Sequence, residues 1–386
     1  MKKAGHLVPH FPPQLDGIGD YAACLGRELR DAHNIESRFI VGDPNWSGPP
    51  LYDGFPVAVV AEQEGAALAK AVGSIGTLIV HYVCYGYERR GVPFWINRGL
   101  RRWRQSGGKH CILMVHELWA SGPPWKSEFY LGWIQRGLIA ELHRAEKASV
   151  TSTEVMWQML EDLGPGKTTL IPVPSSFPVL KPGAAARRTF DGPLRVLVFG
   201  QTSPRLLGIR AHAALLRALS AAGRLDRVLV AGKGAQNGES RSPDVEELLR
   251  HVPPAEIDVL GELETREVTS VFAGAHLFLS YYPASFLGKS TAFMSALACA
   301  CPAVLSEGAR ASPLEAGRHF LVCDGTRESV RRFLEGLEDG MLERVSREGY
   351  EWYRTHADWK VAGSAFARLL EGIWSSADSG LHAANT

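Results

Sequence analysis

The chain has 386 residues, of which 45% are hydrophobic and 22% are charged, and its formal net charge at pH 7 is +1. Single hydrophobic cores stop growing at roughly 250–300 residues, so this length predicts two domains. The balanced charge excludes the basic surface that nucleic-acid binding requires, and no apolar run approaches the ~20 residues that span a bilayer. His6 and Pro9 interrupt the first apolar segment, which excludes a signal-peptide core, so we expect a cytoplasmic protein.

The first half of the chain alternates short apolar runs with amphipathic segments. Such alternation predicts parallel strands connected by helices. The predicted strands are 4–8, 38–41, 57–60, 77–83, 111–115, 149–152 and 168–172, and the predicted helices are 19–31, 93–105 and 128–148. Together they predict a Rossmann-like domain over residues 1–175.

The middle of the chain, from Pro172 to Pro193, is rich in proline and small residues, which predicts a linker over residues 176–193. The same alternation then restarts and predicts a second Rossmann-like domain over residues 194–359. We therefore predict an α/β protein whose two parallel sheets face each other across a cleft. The predicted strands are 194–199, 227–231, 256–260, 276–281 and 303–306, and the helices are 209–221, 243–251, 265–273, 290–300 and most of the chain from 326 to 375.

Candidate ligand-binding residues in the first half follow the predicted strands, because open parallel sheets bind ligands beyond the carboxyl ends of their strands. Gly17, Ile18 and Gly19 begin the first helix, where glycine permits close approach and the helix N-terminus favours a phosphate. A plain turn into the helix is the alternative. His81 and His116 each end an apolar strand and are either satisfied structural residues or ligands of a phosphate or sugar hydroxyl.

Two loops in the second half offer further candidates. The predicted loop 200–208 contains Gln201 and one cation, Arg205, which either pairs with a diphosphate or is an exposed loop residue. Gly232 and Lys233 follow the next strand and either line a base or phosphate or form a plain turn.

The strongest local pattern is Gly288, Lys289, Ser290 and Thr291, between a predicted strand and a predicted helix. It combines close approach, a cation, two hydroxyl groups and a helix N-terminus, so it predicts an anion site. A P-loop requires glycine five residues before Gly288, where Pro283 stands, so that motif is incomplete. No Asp-x-Asp and no His-Glu-x-x-His occurs, so we expect no catalytic metal.

The ordered motifs DGIGDYAACL, VHE, VLVFGQTSPRLLG, LVAGKG and ALACACPAVLS carry a family resemblance. The chain resembles the GT-B fold glycosyltransferases over nearly its whole length, and most closely the retaining enzymes of glycosyltransferase family 4. The resemblance implies a nucleotide-sugar donor held mainly by the C-terminal domain, an acceptor on the N-terminal domain and no catalytic metal. It also implies that helix 360–376 returns to the first domain and that His116 lies near the transferred sugar.

This sequence departs from the family at the donor site. Leu287 and Ser295 stand where the family has two glutamates separated by seven residues. Gln201 and Leu207 replace the arginine and lysine of the loop after the first C-terminal strand. Because a diphosphate needs cations, Arg205 and Lys289 are the expected substitutes.

We therefore predict transfer of a hexose, without a cofactor, from a nucleoside diphosphate sugar to a hydroxyl acceptor, with a UDP-sugar favoured and the acceptor a glycan or glycolipid. A protein that binds a sugar nucleotide or a partner without turnover is one alternative, and a P-loop nucleotide hydrolase is another. Because Trp119 can stack on a sugar or a lipid, peripheral contact with a membrane stays open. The predicted catalytic residues are His116, Lys289 and Arg205; the donor side comprises Gly17, Ile18, Gly19, Gln201, Arg205, Gly232, Lys233, Gly288, Lys289, Ser290, Thr291 and Ser295; the acceptor side comprises His81, Glu117 and Trp119.

Overall fold

The computed structural model describes residues 2–14, 16–107, 110–179, 188–236, 241–307 and 313–383. It divides into two compact units, the first formed by Met1–Pro172 with Trp359–Thr386 and the second by Val173–Asp358. The segment predicted as a linker, 176–193, begins within the second unit, and its residues 180–187 lie outside the described part of the chain.

The described residues of the first unit form a sheet of eight strands in the order β3-β4-β2-β1-β5-β6-β7-β8. All neighbours are parallel except β3 and β4. The strands are β1 (Lys2–Val8), β2 (Ile35–Val41), β3 (Leu51–Tyr52), β4 (Phe55–Val59), β5 (Thr77–Tyr82), β6 (His110–Val115), β7 (Ala148–Thr151) and β8 (Thr168–Leu170). The helices are α1 (Gly17–His33), α2 (Gly65–Val72), α3 (Cys84–Tyr87), α4 (Phe94–Gln105), α5 (Ser127–Ala145) and α6 (Glu154–Glu161).

The second unit contains a parallel sheet of six described strands in the order β11-β10-β9-β12-β13-β14. The strands are β9 (Leu194–Phe199), β10 (Leu225–Ala231), β11 (Ile257–Gly261), β12 (Leu277–Ser280), β13 (Ala303–Leu305) and β14 (Leu321–Val322). The helices are α7 (Thr202–Ala211), α8 (Ala213–Ala221), α9 (Pro243–Leu248), α10 (Thr265–Gly274), α11 (Thr291–Ala298), α12 (Arg327–Glu338) and α13 (Met341–His356).

The last helix, α14 (Trp359–Ala383), belongs to the first unit and packs on α1. The rings of Trp359 and Tyr21 lie 5.3 Å apart between centroids, and the Trp374 indole donates a hydrogen bond of 2.8 Å to the Thr77 hydroxyl. These contacts of Trp359 and Trp374 therefore fix α14 against α1 and strand β5.

The segment after β9 differs from the prediction. It was expected to be a loop over residues 200–208, but α7 begins at Thr202 and continues to Ala211. The inward side of this helix carries Arg205 and Ile209, which are both buried. An arginine at a buried position hides the apolar spacing that sequence patterns rely on, so the helix was missed.

Candidate functional site

A row of buried polar side chains crosses the centre of the first sheet. The Ser37 hydroxyl lies 3.1 Å from Nε2 of His6, and Nδ1 of His6 lies 3.2 Å from Nε2 of His81. Nδ1 of His81 in turn lies 3.2 Å from Nε2 of His116. His6 and His81 are fully buried, whereas His116 is partly exposed. His81 was predicted to face an acceptor, but its ring lies inside the sheet between two other histidines.

The partly exposed end of this row, His116, lies at the carboxyl edge of the first sheet, directly after β6. The rings of Tyr21 and His116 pack in a T-shaped arrangement with centroids 5.2 Å apart. Glu117 follows and is exposed. His116 is therefore the member of the row that a ligand at this edge can reach.

Trp119 lies on the wall of a cavity of about 240 Å³, together with Phe129, Trp133 and Arg136. The Arg136 guanidinium lies over the Trp119 ring, 5.4 Å from its centroid. Trp133, on the same wall, is 64% exposed. Aromatic rings beside an arginine suit the faces and hydroxyls of a sugar, and the role of Trp119 on the acceptor side stays a prediction.

The start of α1 differs from the predicted phosphate site. The Asp16 carboxylate caps the helix and accepts hydrogen bonds from the amides of Ile18 at 3.1 Å and Gly19 at 2.7 Å. Two of the amides expected to bind a diphosphate are thus occupied, and a carboxylate beside them repels an anion. An aspartate directly before Gly17 is the sequence signal that indicates such a cap.

Gly19 has a packing reason to be glycine. A Cβ atom at this position would lie 2.7 Å from the carbonyl oxygen of His10 and 3.0 Å from Cα of Phe11. At Gly17, by contrast, a Cβ atom would meet nothing within 4 Å. Gly19 therefore permits the loop after β1 to pass close to the helix.

The second sheet has a pocket of about 270 Å³ at its carboxyl edge. It brings Gly200, which follows β9, together with Lys289, Ser290 and Thr291. Ser290 caps α11, and its hydroxyl accepts a hydrogen bond of 3.3 Å from the amide of Phe293. A cation and a capped helix N-terminus thus lie on one wall, which is a favourable environment for an anion. The complete lining is Phe199, Gly200, Pro204, Phe278, Leu279, Ser280, Tyr281, Tyr282, Lys289, Ser290, Thr291 and Ala292.

The remaining predicted donor residues of the loops lie near this edge. Gln201 and Lys233 are exposed. Gly232 has a positive φ of 119°, and a Cβ atom there would lie 2.2 Å from the carbonyl oxygen of Gly200. The two loops therefore touch through their backbones. Gly288 precedes Lys289, and its carbonyl oxygen accepts a hydrogen bond of 2.7 Å from the amide of Val173.

Arg205 is not the available cation that the sequence suggested. Its side chain is fully buried and forms an ion pair with Asp244, with Nε 2.6 Å from Oδ2. It also donates hydrogen bonds to the carbonyl oxygens of Gly200 and Lys233, the second at 3.1 Å. Arg205 therefore connects the two loops of the pocket edge from inside the protein, and its charge is already paired.

Ser295 is also directed away from the pocket. Its hydroxyl donates a hydrogen bond of 2.7 Å to the Thr291 carbonyl and lies 2.9 Å from the Ser175 hydroxyl. Leu287 is likewise buried. The two positions at which the resemblance expects carboxylates are thus occupied by interior residues.

Two properties of the described residues concern membrane insertion and metal binding. No described helix combines the length and apolarity that crossing a bilayer demands. No group of three or more histidine, cysteine, aspartate or glutamate side chains within that same part of the chain is placed to hold a metal ion.

The architecture is similar to that of solved glycosyltransferases. The pneumococcal O-GlcNAc transferase GtfA, in complex with UDP and GlcNAc, matches with a TM-score of 0.62 at 10% identity over 97% of this chain and 99% of that chain. TarM matches with a TM-score of 0.64 at 8% identity over 96% and 99% of the chains. An α,α-trehalose-phosphate synthase (UDP-forming) from Burkholderia vietnamiensis matches with a TM-score of 0.61 at 13% identity over 97% and 98%. The chain has the GT-B fold.

The predicted fold class is thereby confirmed. No protein-family model matches the sequence, and no curated protein matches it. At these identities the likeness establishes the GT-B fold and leaves the activity to be argued from the residues at the two sheet edges.

Replacing Gly19 by alanine should destabilise the first unit. The new methyl group meets backbone atoms at 2.7 and 3.0 Å, which cannot rotate away, so we expect a loss of about 1–3 kcal/mol in the free energy of unfolding. Gly17→Ala is the matched control in the same helical turn and should stay within about 0.5 kcal/mol of the wild type. Urea unfolding of both variants checks this, and equal effects would contradict the packing argument.

Replacing Arg205 by alanine should leave the Asp244 carboxylate buried without its partner. We expect a loss of about 3–5 kcal/mol in stability, since removal of one member of a buried ion pair has that cost. Arg210→Ala is the control on the same helix, because its pair with Glu247 is exposed on the arginine side. It should cost at most about 1 kcal/mol. Thermal unfolding of the two variants measures both losses of stability. A clearly larger loss in Arg205→Ala than in Arg210→Ala is expected, and equal losses would contradict the structural role of Arg205.

Stability should fall as the pH decreases from 7.5 to 5. Burial lowers the pKa of His6 to about 3 and that of His212 to about 4, and it lowers the pKa of His81 and His276 as well. Between these values and the ordinary 6.5, the unfolded chain binds protons that the folded chain does not, so acid favours unfolding. Burial raises the pKa of Glu146 to about 7. Below that pH the folded chain binds a proton at Glu146 that the unfolded chain does not yet bind, so this one group opposes the trend.

Urea unfolding at pH 7.5, 6.5 and 5.5 measures this dependence. Each histidine contributes up to about 1.4 kcal/mol per pH unit once the pH is below its unfolded pKa. A His212→Asn variant removes one such group and should show a shallower slope. A stability that is constant or increases toward pH 5.5 would contradict the prediction.

Proposed function

We propose that the chain is a glycosyltransferase that transfers a hexose from a nucleoside diphosphate sugar to a hydroxyl group. The observation that carries the proposal is the pocket at the carboxyl edge of the second sheet, where Lys289 lies beside the capped N-terminus of α11. We assign this pocket to the anionic leaving group of the donor, because a cation and a helix N-terminus both favour an anion. The similar GtfA structure contains UDP, and the similar synthase is UDP-forming, so a UDP-sugar is the proposed donor.

The chemistry follows from the charge that develops on the diphosphate as the bond to the sugar breaks. Lys289 and the positive end of α11 stabilise that charge before it is neutralised by a proton. Ser290 and Thr291 place two hydroxyl-bearing residues at the same wall. Arg205 contributes indirectly, because it fixes the Gly200 and Lys233 loops that border the site.

His116 is the proposed contact to the transferred sugar, with Glu117 and the Trp119 cavity on the acceptor side. The exposed ring of Trp133 in this cavity favours a glycan or glycolipid acceptor, and it also suits a peripheral contact with lipid. The proposal also includes retention of the anomeric configuration and independence from a metal ion, because the family resemblance implies both.

One observation favours a second candidate function, nucleotide-sugar binding without turnover. Among the described residues that line the second-unit pocket, none carries a carboxylate. A donor sugar there would lack the acidic partners that the resemblance leads one to expect. This candidate predicts binding of UDP together with no transfer and no donor hydrolysis.

Lys289→Ala should weaken the binding of UDP by about tenfold or more. The reason is that a hydrogen bond to a charged group contributes about 1.5–3 kcal/mol. Isothermal titration of the wild type with UDP, GDP and ADP measures the affinity and the base preference. Lys70→Ala, which removes an exposed lysine on α2, is the control and should bind UDP as the wild type does.

Turnover is measured separately as release of UDP from UDP-hexoses with and without added glycan or glycolipid acceptors. Transfer that is lost in Lys289→Ala supports the glycosyltransferase. Binding of UDP without turnover supports the second candidate. Failure of all three nucleotides to bind at millimolar concentration contradicts both.

A further inference from the structure

The row formed by Ser37, His6, His81 and His116 crosses four adjacent strands or their ends. The strand order β2-β1-β5-β6 places these residues side by side. Each link is a side-chain hydrogen bond of 3.1 or 3.2 Å, and the histidine rings stack with centroids 5.4 and 5.5 Å apart. The row thus runs from the interior of the sheet to the edge where His116 is partly exposed.

Hydrogen-bond chemistry restricts how protons can be distributed along the row. Both ring nitrogens of His6 and of His81 are used within it. A neutral imidazole has one donor and one acceptor nitrogen, so each link needs a donor on one side and an acceptor on the other. Only two arrangements of protons satisfy every link. In one, each link is donated from the Ser37 side toward His116; in the other, each link is donated from the His116 side toward Ser37.

The histidines inside the row are neutral. Burial lowers the pKa of His6 to about 3 and holds that of His81 well below its ordinary value. At neutral pH neither ring therefore carries an extra proton, and the two directional arrangements are the ones to compare.

Ser37 decides between these arrangements. Among the described residues, its buried hydroxyl makes its hydrogen bond to Nε2 of His6. If Ser37 donates, its hydroxyl proton has an acceptor on His6. If His6 donates instead, the hydroxyl proton has no acceptor among the described residues. Because an unpaired buried donor is unfavourable, the first arrangement is preferred. Ser37 as donor makes Nε2 of His6 an acceptor, so the proton of that ring lies on Nδ1. Nδ1–H of His6 then donates to Nε2 of His81, so the proton of His81 lies on its own Nδ1. That Nδ1–H in turn donates to Nε2 of His116.

We propose that Ser37, His6 and His81 are positioning residues that fix His116 in the tautomer with its proton on Nδ1. Nε2 of His116 accepts from His81, and Nδ1–H is a hydrogen-bond donor. Resting on the proposed function, this means that His116 donates to an oxygen of the substrate and does not remove a proton from the acceptor hydroxyl. The row thereby gives a role to two buried histidines, one of which, His81, had been predicted to touch the acceptor.

The test is nitrogen-15 NMR of the histidine rings in the full-length protein at pH 7.5, without any substrate. In the wild type we expect the Nδ1–H tautomer of His116 to exceed the Nε2–H tautomer at least about fivefold, the factor that corresponds to one unpaired buried donor. A predominance of Nε2–H overturns the proposal.

Two variants test whether the row sets this preference. Ser37→Asp supplies a carboxylate that only accepts, so His6 must donate from Nε2. A His6 ring that stays neutral should reverse His116 to Nε2–H, whereas a His6 ring that takes up a second proton under the influence of the carboxylate still donates from Nδ1 and should keep His116 as Nδ1–H; the nitrogen-15 shifts of His6 show which state it adopts. Ser37→Ala supplies neither function and should not reverse it, because an unpaired N–H is worse than an unpaired ring acceptor. A His116 tautomer that does not follow the protonation state of His6 in Ser37→Asp overturns the proposal.

A third variant covers the case in which Ser37→Asp does not fold. His81→Phe keeps an aromatic ring in the stack and removes the link, so His116 should lose at least about fivefold of its Nδ1–H preference. Retention of that preference overturns the proposal.

Ser149→Ala is the matched control. Ser149 is a buried serine of the same sheet whose hydroxyl lies 2.8 Å from Nδ1 of His143, outside the row. It should change the His143 signals and leave His116 unchanged, and a shift of His116 as large as that of His143 overturns the proposal. No substrate is present in these measurements, so the tautomer ratios decide this proposal even in a protein that transfers no sugar. The absence of nucleotide binding and transfer would contradict only the proposed function.

Discussion

Parallel pairing of the strands is the constraint on which both candidate sites depend. In a sheet whose crossovers return the chain to the same end, the residue after each strand reaches a common edge. In the first unit this places His116 at the edge, directly after β6, whose last five residues are buried. In the second unit it brings Gly200, after β9, to the same pocket as Lys289. Residues far apart in the chain thus meet because of topology, without any local motif.

This constraint explains why the fold was predictable from sequence. Strand β5 was predicted over 77–83 and extends over Thr77–Tyr82, and β9 coincides with the predicted 194–199. Both are nearly continuous apolar runs, which mark strands covered on both faces. Helix α7 was missed since Arg205 stands at a buried position, where the pattern of apolar residues would need an apolar side chain.

The side chains of the site were harder to predict, because their environment is set by residues far away in the chain. Arg205 looked like a free loop cation, yet its partner Asp244 lies 39 residues later. His81 looked like a ligand at a strand end, and only the strand order shows that it lies between His6 and His116. The exception is Asp16, whose capping role was visible in the local sequence.

The structure shows what surrounds Leu287 and Ser295, the two positions at which the resemblance expects carboxylates. The hydroxyl of Ser295 is satisfied by Ser175 and by the Thr291 carbonyl, and Leu287 is packed in the interior. Both positions therefore belong to a completed core and do not leave unsatisfied polar groups at the pocket. As no carboxylate lies among the described residues that line this pocket, the charge of Lys289 has no lining counter-ion there. A lysine in such surroundings favours an anionic ligand more strongly than one already paired, which is the physical reason for proposing that a diphosphate binds at this wall.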